Sequence, residues 1–269
     1  MAFKFSETGD TVYSTTFPGI VKRDSIFVLA NDYGKVPITI PNWKPEACFW
    51  DARFQPVSQS IKDLEVRPDD VWLAAYPKSG ITWCQEMIWL VCNDLQYGKA
   101  ATLNVDSRWS YLDLCTKKKH EGPLPMDFES SPRFVKSHLP VALLPDQIWT
   151  VRPKMVYIRR NPKSDLKGTL RQVCSFFNKS YSEDQLETLA KHLSFDSLKN
   201  NKAVNFSDVT QRTLLESNRT DKLADPNYKF MRQGEVEGWK KELDQETIEK
   251  FDEWTNSKVM DPDDMKLFA

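Results

Sequence analysis

Between Val71 and Cys92 an all-apolar run, Val71-Trp72-Leu73-Ala74-Ala75, meets a short turn, Tyr76-Pro77-Lys78-Ser79-Gly80, and then a helical pattern that begins near Ile81. A five-residue apolar run bounded by Pro and Gly fits a strand buried in a parallel sheet. The spacing of Ile81, Cys84, Ile88 and Cys92, widened by Trp83, Met87 and Trp89, predicts a mostly buried helix that stops near Gly98. In a strand, tight turn and helix of this order, the first helical N–H groups have no internal partner and point into the turn, which makes it an anion site. Pro77 fixes the approach to the turn and Gly80 lets backbone come close to a phosphate. Lys78 adds a point charge, and Ser79 and Thr82 offer hydroxyls. Taken alone, the turn is equally readable as a structural connection with a solvated lysine. The usual triphosphate loop places its Lys after the last Gly; here Lys78 precedes Gly80, so that pattern is not met.

A chain of 269 residues, 40% hydrophobic and with nine Trp, can bury one large core, and no linker-like stretch divides it. One domain spanning residues 1–269 is expected. The net charge of −1 and a pI of about 6.3 give no global basic field for nucleic acid or anionic membrane, so an anion site must be local. Apolar runs are too short to span a bilayer and the first residues lack the apolar region of a signal peptide, which predicts a cytoplasmic protein without membrane partners. Five widely spaced Cys, two of them on the helix after the turn, suit reduced core thiols better than disulfides. Three His with no close Cys partner predict no metal site.

Residues 1–69 mix short apolar pieces with turn formers and read as loops, short strands and a helix or two. The aromatics Phe17, Phe27, Trp43, Phe49 and Trp50 read either as the lining of an apolar pocket or as plain core. From Trp109 to Met126 the chain reads as irregular, with Lys117, Lys118 and Lys119 in a solvated loop. Then comes Arg133-Phe134-Val135-Lys136-Ser137-His138-Leu139-Pro140. In an extended segment Lys136 and His138 project from one face, at the strand end where parallel sheets collect ligands. The alternative is a surface His beside a strand ended by Pro. A third apolar strand, Met155-Val156-Tyr157-Ile158, runs into the cationic turn Arg159-Arg160-Asn161-Pro162-Lys163. Residues 165–173 open an amphipathic helix, and Ser182 with Gln185 opens another through a capping box, closed by His192-Leu193-Ser194-Phe195. Polar residues 200–230 read as a mobile loop or lid. A last helix is expected from about Asp244 to Lys258, with Ile248, Phe251 and Trp254 buried and Glu246, Glu249 and Lys250 outside.

The turn at 76–83, the Lys-Ser-His-Leu-Pro strand end, the Arg-Asn-Pro-Lys turn and the segment Arg232-Gln233-Gly234 occur in the order found in the cytosolic sulfotransferases. The chain resembles that family from about Val66 to Trp254. The resemblance implies a single α/β domain, a central parallel sheet flanked by helices, with a P-loop-like nucleotide site. It implies N-terminal loops and acceptor-pocket elements over 1–69 and a donor-binding core over 70–269. The implied reaction moves a sulfuryl group from PAPS (3'-phosphoadenosine-5'-phosphosulfate) to a hydroxyl of a small, mostly apolar phenol, steroid or alcohol. By the same resemblance Lys78, Ser79, Gly80, Ile81, Thr82 and Trp83 form the 5'-phosphosulfate loop, with Trp83 near the adenine. Ser194 and Phe195 also join the donor site, and Arg160, Arg232, Gln233 and Gly234 hold the 3'-phosphate. Arg suits a dianionic phosphate because it bonds in bidentate fashion. His138 is the implied catalytic base, with Lys78 and Lys136 neutralising charge and Ser79 restraining Lys78 until the acceptor arrives. No metal is implied. The acceptor would be shaped by the N-terminal aromatics and the loop around Tyr111 and Phe128.

The chain also departs from the pattern. Ile81 stands where the family has Thr, and Gln233 where it has Lys. Lys240 and Glu249 of a dimer motif are present, but Asp244 and Gln245 stand where Thr and Val are expected, so a homodimer by that route is left open. After Lys163 several dozen family residues are missing, including a helix with a phosphate-binding Ser and a strand. The expectation is therefore a sulfotransferase with measurable but weak donor-site binding and low or absent transfer relative to a full-length member. The alternatives are a catalytically impaired member that binds PAPS or PAP, the 3',5'-bisphosphate product, and a nucleotide kinase or ATPase.

Overall fold

The computed structural model describes residues 2–7, 12–14, 21–23, 25–37, 42–77, 79–113, 124–158, 166–207, 230–231 and 243–258. Its centre is the run expected to be a buried strand. Val71–Ala75 is strand β6 once the five N-terminal strands β1 (Phe3–Glu7), β2 (Val12–Ser14), β3 (Val21–Arg23), β4 (Ser25–Ala30) and β5 (Cys48–Asp51) and helix α1 (Ser58–Lys62) are counted before it. Strands β7 (Ser110–Tyr111), β8 (Phe134–Ser137) and β9 (Lys154–Ile158) join it in a parallel sheet of order β7-β8-β6-β9. The fold is α/β, as the sequence predicts.

Every residue of β6 is buried because side chains alternate between two cores. Val71, Leu73 and Ala75 face helix α2 (Ile81–Cys92) and the helices α6 (Leu166–Phe176) and α7 (Glu183–His192). Trp72 faces the other way, onto Phe54, Val57, Ile61 and Leu64 beside α1. The N-terminal strands add an antiparallel sheet, β1-β4-β5, and a hairpin of β2 and β3. Between α2 and β9 lie the short helices α3 (Tyr97–Thr102), α4 (Val105–Arg108) and α5 (Gln147–Val151). Arg133 bonds Asp70 through Nε at 2.8 Å and Nη2 at 2.6 Å, both side chains fully buried, and so pins the chain before β8 to the chain before β6. That pin brings the carboxyl ends of the two strands to one edge.

Several sequence expectations are corrected. Helix α2 ends at Cys92, well before Gly98, because Asn93 caps it by donating to the Trp89 carbonyl and Asp94 and Leu95 turn the chain with φ of 51° and 57°. The stretch after Trp109 is not wholly irregular: Ser110 and Tyr111 pair with Val135 and Lys136 as the sheet's fourth strand. The capping box of Ser182 and Gln185 is present, but α7 stops at His192, and Ser194 caps a separate helix, α8 (Phe195–Asn200). The final helix runs Gln245–Lys258, yet Phe251 and Trp254 are 58% and 60% exposed rather than buried. Periodicity predicts an apolar face but not a partner for it.

The N-terminal aromatics are spent on one another. Phe27 meets Phe49, Trp43 meets Tyr33 and Trp50 meets Phe54, each edge to face. Phe17 lies outside the described residues, as do Lys117–Lys119 and most of the expected lid. Cys48, Cys84, Cys92 and Cys174 are free thiols, with Cys84 and Cys174 buried. Among the described residues no helix is long and apolar enough to cross a membrane.

Candidate active site

The four parallel strands end on one edge of the sheet, and the polar groups meet there. After β6 the chain makes a tight turn, with Ser79 N–H donating to the Tyr76 carbonyl at 3.2 Å. Gly80 follows at φ 92°, the left-handed region that favours glycine, and a side chain there would meet open space. No side chain caps the start of α2, so the N–H groups of Ile81, Thr82 and Trp83 open toward the turn. Ser79 is half-buried and Thr82 is buried.

His138 follows directly on β8. Its Nδ1 lies 2.7 Å from the Ala75 carbonyl, the last residue of β6. A carbonyl only accepts, so Nδ1 holds the proton and the neutral ring carries its lone pair on Nε2. The His138 N–H donates to Asp113 Oδ2 at 2.8 Å and the Ser137 hydroxyl to Asp113 Oδ1 at 2.7 Å. Burial pushes the Asp113 carboxyl up, against the opposing pull of these donors and of the nearby His138 and Lys136. Tyr111 is paired with Lys136 across β7 and β8, and its ring stands nearly perpendicular to that of His138, with centroids 5.7 Å apart. The Lys136 ammonium sits 4.3 Å from the centre of the same ring. Lys136 and His138 thus converge on Tyr111. Burial, helped by Asp113 and Asp106, also drives the Tyr111 phenol up, so it stays protonated.

The first turns of α2 are tied to the chain around residues 192–195. Trp83 Nε1 donates to the Leu193 carbonyl at 2.9 Å, which brings Trp83 beside Ser194 and Phe195. One turn on, the buried Glu86 binds His192 Nε2 at 2.8 Å and Arg108 Nη2 at 2.5 Å. Ser194 spends its hydroxyl as the cap of α8, accepting from Ser197 N–H at 3.3 Å. Lys78, Arg160, Arg232, Gln233 and Gly234 lie outside the described residues, as does Lys240.

Sequence reasoning missed Asp106, Asp113, Glu86 and His192. Asp113 lies just past the end of β7, where the chain has left the extended conformation, so strand alternation does not point to it. Nothing local marks Glu86 and His192, which are 106 positions apart.

A family model, the sulfotransferase domain, matches residues 68–164 and 163–263, two stretches that meet at Lys163 and Ser164. The luciferin sulfotransferase of Photinus pyralis is 29% identical over 282 aligned positions, covering 75% of this chain and 74% of that protein. Those positions outnumber the residues of the whole chain, so the relative holds residues with no counterpart here. Among solved structures, retinol dehydratase with retinol and PAP matches with a TM-score of 0.73 and 21% identity, over 97% of this chain and 98% of that one. Retinol dehydratase with androsterone and PAP matches with a TM-score of 0.75 and 19% identity, over 98% and 99%.

Proposed function

The chain belongs to the sulfotransferase domain family, and from that membership we propose that it transfers a sulfuryl group from PAPS to a hydroxyl of a small, mostly apolar acceptor. The observation that carries the reading is His138 Nδ1 bonded to the Ala75 carbonyl, which leaves Nε2 as the basic atom beside a buried lysine. The residues fit an anionic donor: an uncapped helix start, a left-handed Gly80 under open space, and Lys136 on the same sheet edge. When bound, the donor supplies a sulfuryl group on a phosphate leaving group.

His138 Nε2 takes the proton of the acceptor hydroxyl as its oxygen bonds to sulfur and the bond from sulfur to the phosphate oxygen breaks. The Ala75 carbonyl and the bond from His138 N–H to Asp113 hold the imidazole in position. Lys136 offsets negative charge on the leaving oxygen, with Lys78 in the same role by family position. Arg160, Arg232, Gln233 and Gly234 are assigned to the 3'-phosphate, and Trp83, Ser194 and Phe195 to the adenine side, by the same positional match. An acceptor that is a phenol, steroid or other alcohol is consistent with the retinol and androsterone held by the similar dehydratase structures.

The test is incubation of the folded protein with labelled PAPS and a panel of phenols, steroids and alcohols. Label appearing on at least one acceptor is expected; no transfer to any member of the panel would overturn the reading. A second reading, a member that binds PAPS or PAP but turns over poorly, is favoured by the two-part family match meeting at Lys163. Binding of PAP without transfer would select it.

A further inference from the structure

Lys136 is nearly dry, with its side chain 6% exposed, and its ammonium has three neighbours among the described residues. Asp106 Oδ1 lies at 2.9 Å, Gln85 Oε1 at 3.4 Å and the Tyr111 ring at 4.3 Å. Asp106 is the carboxylate bonded to the ammonium, whereas Asp113, occupied by Ser137 and the His138 N–H, acts on it only through space. Asp106 stands on α4, an element separate from the sheet. The two partners of the ion pair differ in their access to water. The Asp106 carboxylate is 30% exposed and has solvent to turn to, whereas Lys136 is shut off from water and is best served by a bonded anion.

We propose that Asp106 is a positioning residue, a resident counter-ion that holds Lys136 in the donor-free protein and yields it to the phosphosulfate when PAPS binds. The proposal rests on the PAPS reading above. Coulombic arithmetic gives its direction. An arriving polyanion meets a lysine already neutralised by a carboxylate, so part of the attraction is used in breaking that pair. The carboxylate then faces water while the lysine keeps an anion bonded to it. Asp106 thereby weakens donor binding and recovers the lysine when the product leaves. A residue that merely supported the fold would do the opposite when removed, because its loss would loosen the site.

The test is equilibrium binding of PAPS, without acceptor, to the wild-type protein, Asp106→Asn and Asp106→Glu, together with the structure of the wild-type protein bound to PAPS. Asp106→Asn is expected to bind PAPS about tenfold more tightly, the scale of one charge-assisted hydrogen bond no longer broken. Asp106→Glu, which keeps a carboxylate for the lysine, is expected to bind as wild type does. In the bound structure Lys136 Nζ should have left Asp106 for the donor. Equal or weaker binding by folded Asp106→Asn overturns the proposal. So does a bound structure with the Asp106 pair intact, which decides the matter even if Asp106→Asn does not fold. Absence of PAPS binding in the wild-type protein and both variants would instead remove the donor assignment itself, and this proposal with it.

Discussion

His138 is fixed at three points: its ring by the Ala75 carbonyl, its backbone N–H by Asp113, and its ring again by the perpendicular Tyr111. A base held this way needs no reorganisation before it accepts a proton. Replacing His138 with Ala should lower turnover by about 10²-fold or more while PAP affinity stays within a few fold. Steady-state rates beside a PAP titration check this, and full activity in the variant would take His138 out of the mechanism. Among the described residues, burial acts on the cysteines as well. Burial pushes the Cys84 and Cys92 thiols up to about 12 and Cys48 to about 11. A raised pKa means less thiolate, so at pH 8 Cys84 in the folded protein should alkylate about a thousandfold more slowly than after denaturation. Peptide mapping after iodoacetamide resolves each cysteine, and rapid native labelling of Cys84 would contradict its burial.

Helix α2 carries the uncapped start that faces the turn, and its orientation depends on Glu86 midway along it. That carboxylate is wholly buried and holds Arg108 from α4 and His192 from the end of α7. Glu86→Gln would leave the Arg108 guanidinium without its counter-ion, and breaking a buried pair costs about 3–5 kcal/mol. A denaturant midpoint close to wild type would show that water reaches the site. Strand β9 poses the reverse situation. It pairs only with β6 among the described residues, none of its five residues is buried, and Tyr157 is 64% exposed. Parallel strands are ordinarily covered on both faces and flanked within the sheet. Amides of Lys154–Ile158 should therefore exchange with solvent well ahead of those in Val71–Ala75. Equal protection by hydrogen exchange would mean that β9 is covered.

At the scale of the molecule, the exposed β9 and the family match that breaks at Lys163 point the same way. We propose that a family segment is missing between β9 and α6, and that its loss removes part of the 3'-phosphate grip. One lost charge-assisted hydrogen bond costs roughly 1.5 to 3 kcal/mol, so PAP should bind about tenfold to a hundredfold more weakly than to a complete relative. Calorimetry measures the first half, with affinity equal to the relative's as the adverse result. Inserting a family-like segment after Lys163 and assaying turnover measures the second, and no gain on insertion would show the segment to be dispensable.

Much of this was legible from residues close together in the chain. Strand β6, the turn, the start of α2, the capping box of α7 and the extended segment ending at His138 all rest on periodicity or turn chemistry within a few positions, and these are local properties. The order of the motifs was enough for the family. Other features depended on which distant groups the parallel sheet brings to one edge. Asp113 under His138, Asp106 on Lys136 and Glu86 on His192 each join separate elements, and no spacing rule encodes such a contact. The exposure of Phe251 and Trp254 belongs with them. A helix's pattern states which face is apolar, whereas burial requires another surface to arrive, and that is a property of the folded chain.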